Sequence, residues 1–300
     1  MTPFTQLQVF NVMHASPNAR LELSARLGDG LAAALWRNRD DARDYQAPSH
    51  HTLSCYLADG TGTFRRQRPA DKGAPDKLCV LPAEHESNWV INGAIRMAHL
   101  YVSPTQFALG CVRLLDREPR ALQLQEAIFL DDPGQALRFR QLSGLDWNEP
   151  AERLLASSLA HEIVDHAVLS QVGLRQGLRL KGGLAPSQRR QLIDYIEAHL
   201  EHALTLGELA VRCNLSEYHF ARMFRVSFGL PPHQYLLARR LHRACLLLRL
   251  GHAPLGEVAL ACGFASASHF SNRFRQVLAA TPGEYRQALG RRAGDRKSVV

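Results

Sequence analysis

SEYHFARMFRV at residues 216–226 and SASHFSNRFRQ at residues 266–276 are two copies of one pattern. Each copy begins with serine, has His-Phe starting three residues after that serine, and has Phe-Arg starting four residues after that phenylalanine. The agreement extends to both sides, at an offset of 49 before the serines and of 50 after them. A unit of this size that occurs twice in one chain indicates a duplicated supersecondary element.

Each copy predicts a short helix, a tight turn and a second helix. The turns contain Asn214 and Gly263, the residue types that best tolerate a left-handed backbone. Ser216 and Ser266 follow at the positions where a second helix needs an N-cap. The sequence therefore predicts two helix-turn-helix units, at about 206–228 and 255–278.

The phenylalanines of each second helix recur at i and i+4, so we expect that face to pack inward. The opposite face is polar and basic, and it suits a major groove, where base edges present a readable pattern of donors and acceptors. The alternative is an all-helical domain whose duplicated hairpins only pack together. The paired repeat, the basic charge and the polar outer faces disfavour that alternative.

Residues 188–289 resemble the C-terminal DNA-binding domain of the AraC/XylS family of transcriptional regulators. GFASASHFSNRFRQVLAATPGEYR at 263–286 is similar to the signature of that family, and LARRLHRACLLL at 237–248 resembles its connecting helix. One departure is the segment VLAATP, which lacks the glycine that is common before the threonine-proline pair. The resemblance implies double-stranded DNA as the partner.

The resemblance also implies which residues contact DNA. The candidates for contacts with base edges are Tyr218, Ala221, Arg222, Ser268, His269 and Asn272. The candidates for contacts with phosphates are Ser216, Arg225, Ser266, Arg273 and Arg275. Ala221 is too short for a hydrogen bond to a base, although its methyl group suits thymine. Asn272 stands where many members of the family have arginine, and asparagine favours adenine over guanine.

The net charge of +8 on the 300 residues is unevenly distributed. Residues 181–290 hold 13 Lys/Arg and 7 Asp/Glu, a balance of +6, and residues 291–300 hold 4 and 1, a balance of +3. Residues 1–180 hold 19 and 20, a balance of −1. The length suits two domains, and the charge predicts that the second one binds a polyanion.

Composition and motifs argue against several classes of protein. Apolar runs are too short for a membrane span, and the N-terminus lacks the layout of a signal peptide. The six cysteines lie far apart, which predicts reduced thiols in a cytoplasmic protein rather than a zinc site or a disulfide framework. Nucleophile, P-loop and dinucleotide motifs are missing, so we expect neither enzymatic activity nor a cofactor.

The first half of the chain reads as strands followed by helices. Short strands with turns between them are predicted over 50–102, a helix capped by Ser103 comes next, and further helices lie near 132–142 and 150–170. This layout resembles the cupin-like sensor and dimerisation domain that often precedes the family's DNA-binding domain. The predicted fold is α+β, with an antiparallel barrel or sandwich before an all-α domain of two helix-turn-helix units joined by a long helix.

The predicted domain boundaries follow from composition. The sensor domain covers 1–172, a flexible glycine-containing linker covers 173–187, the DNA-binding domain covers 188–289, and a basic tail covers 290–300.

Candidate functional residues of the first domain are aromatic or apolar. Tyr56, Phe64, Trp89 and Tyr101 either line a ligand cavity or form plain core. The stripe of Leu155, Leu159 and Ile163 is either a dimer seam or a face that rests on its own domain, and dimerisation within the family favours the seam. No metal site is expected, because the adjacent His50 and His51 point to opposite faces of a strand and the other histidines are isolated.

These observations predict a sequence-specific transcriptional regulator. Its first domain senses a small-molecule effector, dimerises, or does both, and RNA polymerase is a further expected partner. Two alternatives stay open at this point: a regulator switched by a protein partner, and a barrel enzyme tethered to DNA. The enzyme needs a metal or a nucleophile, and neither pattern is visible.

Overall fold

The computed structural model describes residues 4, 6–115, 117–174, 182–250, 253–278 and 280–287. They form two compact units. The first, here called the sheet unit, comprises Met1–Phe107 and Gln123–Gly173. The second, here called the helical unit, comprises Ala108–Leu122 and Leu174–Val300. Within the described part of the chain, no helix is long and apolar enough to cross a membrane.

The described elements up to residue 174 are mostly β-strands. In chain order they are α1 (Gln8–His14), β1 (Ala19–Gly28), β2 (Leu31–Gln46), β3 (His51–Asp59), β4 (Thr63–Arg65), β5 (Arg68–Lys72), β6 (Lys77–Leu81), β7 (Glu86–Val102), α2 (Pro104–Leu115), a 3₁₀ turn (Pro119–Ala121), β8 (Leu122–Leu124), β9 (Ala127–Asp131), α3 (Pro133–Ser143), α4 (Pro150–Gln171) and β10 (Val172–Leu174).

The main sheet is antiparallel, with the strand order β1-β2-β7-β3-β6-β9, and β4 pairs with both β5 and β7. Strands are therefore already present from Ala19, whereas the sequence predicted them only over 50–102. Two segments predicted as separate strands, SNWVI and RMAHLYV, are one strand, β7. The chain passes between them through a bulge at which Gly93 takes a φ of +83° and its N–H donates to Asp40 Oδ1 over 2.6 Å.

The core of the sheet unit lies between the sheet and α1. Phe10 of α1 packs on Trp36 with ring centroids 5.1 Å apart, and Met13 is fully buried beside it. After β7, the Ser103 hydroxyl accepts a hydrogen bond of 3.2 Å from the Gln106 N–H, which confirms the predicted cap of the next helix.

The helical unit is built from five shorter helices and one long one within its described residues from Pro186 to Leu278. They are α5 (Pro186–Ala198), α6 (Leu206–Arg212), α7 (Glu217–Phe228), α8 (Pro232–Leu250), α9 (Leu255–Ala261) and α10 (Ala267–Leu278), and residues 282–287 are helical as well. The predicted architecture of two helix-turn-helix units joined by a long helix is confirmed, with α6–α7 and α9–α10 as the units and α8 as the connection. The first unit packs on a core that α5 shares with α6 and α7. Phe220, Phe224 and Phe228 are fully buried in this core, together with Leu192 and Ile196 of α5.

The helical unit also contains residues from before α3, which the predicted boundaries assigned to the first domain. Val112 of α2 is 5% exposed and belongs to the core formed by α5, α6 and α7. Arg120 Nη2 donates a hydrogen bond of 3.0 Å to the Gly182 carbonyl oxygen. The helical unit therefore comprises 108–122 as well as the contiguous C-terminal segment.

The predicted linker, 173–187, lies only partly within the described residues, because 175–181 fall outside them. Its two ends are structured. Gly173 is part of β10, and Leu184 is 4% exposed in the helical core, where its N–H donates to Ser227 Oγ over 2.8 Å.

Candidate nucleic-acid interface

The two turns have the same backbone geometry. Asn214 and Gly263 both take positive φ, +53° and +73°. The N–H of Asn214 donates to Val211 O over 2.9 Å, and the N–H of Gly263 donates to Leu260 O over 2.9 Å. The duplicated sequence therefore folds into duplicated turns, and the left-handed residue that the sequence predicted occurs in both.

The predicted caps are present in both copies. Ser216 Oγ accepts a hydrogen bond of 3.3 Å from the His219 N–H, and Ser266 Oγ accepts one of 3.1 Å from the His269 N–H. A hydroxyl that accepts in this way keeps its own O–H as a donor. Capping and the predicted phosphate contact are therefore chemically compatible at each serine.

The second helix of each unit has one buried and one exposed face. Phe224 of α7 and Phe274 of α10 are both fully buried, while Tyr218 is 81% exposed. The predicted DNA-contact residues lie outside the core, and apart from the half-buried Ala221 all of them are exposed: Ser216, Tyr218, Arg222, Arg225, Ser266, Ser268, His269, Asn272, Arg273 and Arg275. The exposed His269 also packs its ring edge-on against Phe264, with centroids 5.7 Å apart.

The charge of these exposed faces is positive. Arg222 and Arg225 lie on α7, and Arg273 and Arg275 lie on α10. None of the four forms an ion pair with a carboxylate in the described ranges, and Arg273 donates instead to Gln276 Oε1 of its own helix over 3.1 Å. The guanidinium groups therefore remain available to bases and phosphates.

The predicted dimer seam on α4 is wrong. Leu159 and Ile163 are 2% and 0% exposed in the single chain, and Leu155 is half-buried. The helix packs on its own unit, since Ser157 Oγ donates to Leu27 O over 2.5 Å and Gln135 Nε2 donates to Ile163 O over 3.0 Å. The stripe is therefore core, the alternative interpretation of the same pattern.

The sheet unit contains a narrow, partly open cavity, and two of the four predicted pocket residues line it. Tyr56 and Trp89 do so, whereas Phe64 and Tyr101 do not. Tyr101 is 1% exposed core, and its hydroxyl accepts a hydrogen bond of 3.3 Å from Trp36 Nε1. The complete lining is Met13, Arg43, Tyr45, Ser54, Tyr56, Thr63, Cys79, Leu81, Trp89, Ile91, Ile95, Met97 and His99.

Three polar groups of this lining were missed by the sequence analysis. Arg43 follows Asp41 at i+2 on β2 and donates to its carboxylate over 2.6 Å. The Arg43 Nε and the Thr63 Oγ1 are buried and meet no hydrogen-bond partner among the described residues. His99 is 4% exposed, and burial lowers its pKa to about 3, so it is neutral at physiological pH. Alternation of side chains along the strands could have placed Arg43 and Thr63 on the inner face of the sheet. It could not have shown that their polar atoms have no hydrogen-bond partner there.

The described ranges contain no cluster of three or more histidine, cysteine or carboxylate side chains able to hold a metal ion. Burial also lowers the pKa of His50 to about 4. All six cysteines lie in the described ranges as free thiols, and five of them are buried.

One family model matches residues that all lie in the helical unit. Residues 209–288 match the family model described as a helix-turn-helix domain. The chain is 40% identical over 95 residues to the probable transcriptional regulator LumQ of Photobacterium leiognathi, over 31% of this chain and 38% of that protein. It spans well under half the length of the curated relatives that it matches.

Two solved structures each match about a third of the chain. The DNA-binding domain of AdpA, a global transcriptional factor in complex with a target DNA, is 32% identical, with 34% of this chain and 93% of that one covered and a TM-score of 0.34. A transcriptional regulator from Chromobacterium violaceum, from the proteins that contain an AraC-type DNA-binding domain, is also 32% identical. That match covers 34% of this chain and 90% of the solved chain, with a TM-score of 0.32.

Proposed function

We propose that the chain is, through its helix-turn-helix region, a member of the AraC/XylS family of transcriptional regulators, and that the whole protein is a sequence-specific DNA-binding regulator. The observation that carries the proposal is the duplicated unit with two exposed basic helix faces, on α7 and α10. Each face inserts into a major groove, so one chain reads two groove segments.

The residues divide by role. We propose that Arg222, Tyr218, Ala221, Ser268, His269 and Asn272 contact base edges. Ser216, Arg225, Ser266, Arg273 and Arg275 contact phosphates. Phosphate contacts position the helices and account for salt dependence, whereas base contacts carry the sequence preference.

The test is selection of bound duplexes from a random-sequence pool by the full-length protein, followed by fluorescence anisotropy on the selected DNA. We expect one enriched sequence and an affinity that falls steeply with salt, as release of counterions requires. Arg68→Ala, which removes an exposed arginine of β5, is the matched control and should leave binding unchanged. A pool without enrichment, or binding that is insensitive to salt, would contradict the proposal.

We further propose that the cavity in the sheet unit binds the effector, a small and largely apolar molecule that carries an acceptor oxygen. Trp89, Met97 and Ile91 supply the apolar walls. The unpartnered Arg43 Nε–H and Thr63 hydroxyl supply donors, and each buried polar group without a partner costs about 1–3 kcal/mol. A bound oxygen would remove that cost, which supports this choice of ligand chemistry over a purely hydrocarbon one.

Thr63→Val tests the effector proposal, because valine keeps the shape of threonine and removes the orphan hydroxyl. In a thermal-shift screen of small carboxylates, amides and alcohols, compounds that stabilise the wild type should stabilise this variant less. The unliganded variant should be at least as stable as the wild type. A library in which no compound shifts the wild type, together with a co-purifying protein that alters DNA binding, would favour the alternative of a protein-switched regulator.

The remaining partners are also proposals. The regulator is proposed to act as a cytoplasmic homodimer that contacts RNA polymerase, as its membership of the family suggests. Because Leu159 and Ile163 are buried within the single chain, the proposed homodimer would use a surface other than the α4 stripe. Sedimentation of the purified full-length protein measures the assembly directly.

A further inference from the structure

Arg240 of the connecting helix α8 is bonded to the chain that follows α5. Its Nε donates to the Leu200 carbonyl oxygen over 3.1 Å, and its Nη2 donates to the His202 carbonyl oxygen over 2.7 Å. One guanidinium group therefore satisfies two carbonyls at the C-terminal end of α5. Such a fork of donors fixes direction as well as distance.

The turn of the second helix-turn-helix unit packs against the same point. A Cβ atom added to Gly263 would lie 2.1 Å from the Leu200 carbonyl oxygen and 2.9 Å from Arg240 Nε. Both distances are far below van der Waals contact. Gly263, Leu200 and Arg240 thus form a three-way joint between the α9–α10 turn, the end of α5 and the middle of α8.

The first unit shows that its turn geometry alone does not require glycine. Asn214 occupies the equivalent position, takes a φ of +53° and is exposed. Both turns are left-handed at this residue, so the backbone requirement is shared. Gly263 differs from Asn214 in lying next to the Leu200 carbonyl oxygen. A glycine is therefore needed here because the chain after α5 approaches so closely.

Two ion pairs beside the joint connect α8 to α5 and to the segment that follows α5. Arg239 binds both carboxylate oxygens of Glu197, the Nη2–Oε2 distance being 3.1 Å, and Arg243 Nη1 lies 3.0 Å from Glu201 Oε2. The spacing is four residues on each partner, so the two pairs form a ladder. Their heads are partly exposed, and each contributes little alone.

The other side of α5 belongs to the first unit. Ile196 and Leu200 are buried in the core that contains Phe220 and Phe224 of α7. The joint therefore connects the turn before α10 to the core beneath α7, in addition to the covalent connection through α8. A single connecting helix leaves freedom at its two ends, and the joint removes that freedom at the second unit.

We propose that Arg240 and Gly263 are positioning residues, which fix the angle between α7 and α10 and so the spacing of the two DNA segments that the chain reads. The inference rests on the proposed DNA-binding function. Neither residue is among the proposed DNA contacts, and both act through the placement of α10.

The experiment uses full-length protein and the duplex that the wild type selects, with one base pair inserted or deleted between the two contacted segments. One base pair moves the segments apart by about 3.4 Å and turns them by roughly a tenth of a helical turn. We expect the wild type to lose at least about tenfold in affinity on the altered spacings, or about 1.4 kcal/mol. Gly263→Ala should reduce this loss to less than about threefold or shift the preferred spacing.

Asn214→Ala is the matched control. It places alanine at the same left-handed position of the first unit, so it carries the same backbone strain without the clash with Leu200. It should keep the wild-type spacing ratio. Arg240→Ala provides a second variant that does not depend on tolerating a clash, and Arg240→Lys should restore part of the ratio.

The outcomes separate the two proposals. Spacing ratios equal to wild type in folded Gly263→Ala or Arg240→Ala would overturn the positioning role, even if affinity fell on every duplex. If Gly263→Ala does not fold, the Arg240→Ala ratio decides the question. A wild type that selects no sequence would overturn the DNA-binding function instead.

Discussion

Glu118 and Arg189 form an ion pair of 3.3 Å between the carboxylate and Nη1, across 71 positions of sequence. Their side chains are only 12% and 11% exposed. The carboxylate of Glu118 also binds Arg120, so it holds two guanidinium groups. Residues 117–121 are thereby anchored to α5 within the helical unit.

Replacement of Glu118 by alanine should therefore destabilise the helical unit. It leaves two arginines without their carboxylate in a largely buried setting, and breaking a buried pair costs about 3–5 kcal/mol. The loss should be measured by urea unfolding followed by circular dichroism, since the helical unit contains no tryptophan. The double variant Glu118→Ala, Arg189→Met should recover part of the loss, and equal stability of the wild type and the single variant would contradict the pairing.

Arg222→Ala should weaken binding to the selected duplex more than to random DNA. An arginine that reads guanine contributes about 1–3 kcal/mol of discrimination, so we expect a loss of specificity at one base position. Anisotropy on a set of single-base variants of the duplex measures it. An equal loss on cognate and random DNA would assign Arg222 to the phosphates.

The variants Arg273→Ala and Arg275→Ala should behave differently. Each should weaken binding to all duplexes and lower the slope of log K against log salt by about 0.9, as loss of one phosphate contact does. Titrations at several salt concentrations give the slope. A slope that stays at the wild-type value would exclude a phosphate contact at that arginine.

The sheet unit should lose stability as the pH falls below about 6.5. Burial depresses the pKa of His50 to about 4 and that of His99 to about 3, so the unfolded chain takes up these protons first. Above pH 6.5 both states are neutral and the effect vanishes; below it each histidine costs about 1.4 kcal/mol per pH unit until its folded pKa is reached. Tryptophan fluorescence in urea at pH 7, 6 and 5 measures it, because Trp36, Trp89 and Trp147 all lie in this unit.

His50→Phe is the control for this pH dependence. Neither ring nitrogen of His50 has a partner within the described part of the chain, so phenylalanine leaves no hydrogen bond unmade. The variant should retain its stability at pH 7 and show a smaller acid-induced loss than the wild type. The same pH dependence in wild type and variant would mean that other groups titrate.

Leu159→Glu should unfold the sheet unit rather than yield a stable monomer. The side chain is 2% exposed, and a carboxylate placed there is desolvated without a partner. Loss of the tryptophan signal at low urea, with the helical circular dichroism of the other unit retained, is the expected result. A folded variant that is monomeric where the wild type is dimeric would contradict this expectation.

Sequence reasoning succeeded where the signal was local and repeated. Asn214, Gly263 and the capping serines specify turns through their own backbone preferences, so both helix-turn-helix units were predictable from the pattern. Leu159 was ambiguous because an apolar stripe is the same on a helix that packs on its own unit and on one that packs on a partner. The joint at Arg240 and the placement of Val112 depend on contacts between segments that are distant in the sequence. The periodicity of apolar residues does not predict such contacts.

The helical unit includes residues 108–122, which precede the second segment of the sheet unit, Gln123–Gly173, in the sequence. The helical unit is therefore not encoded by one continuous stretch of the gene. A fragment that begins at Gly183 would lack Val112 from its core and the Glu118 partner of Arg189. In a chimera that exchanges only the C-terminal segment, Val112 and Glu118 would come from one parent and the residues that they contact from the other, so we expect a chimera that also exchanges 108–122 to be the more stable one.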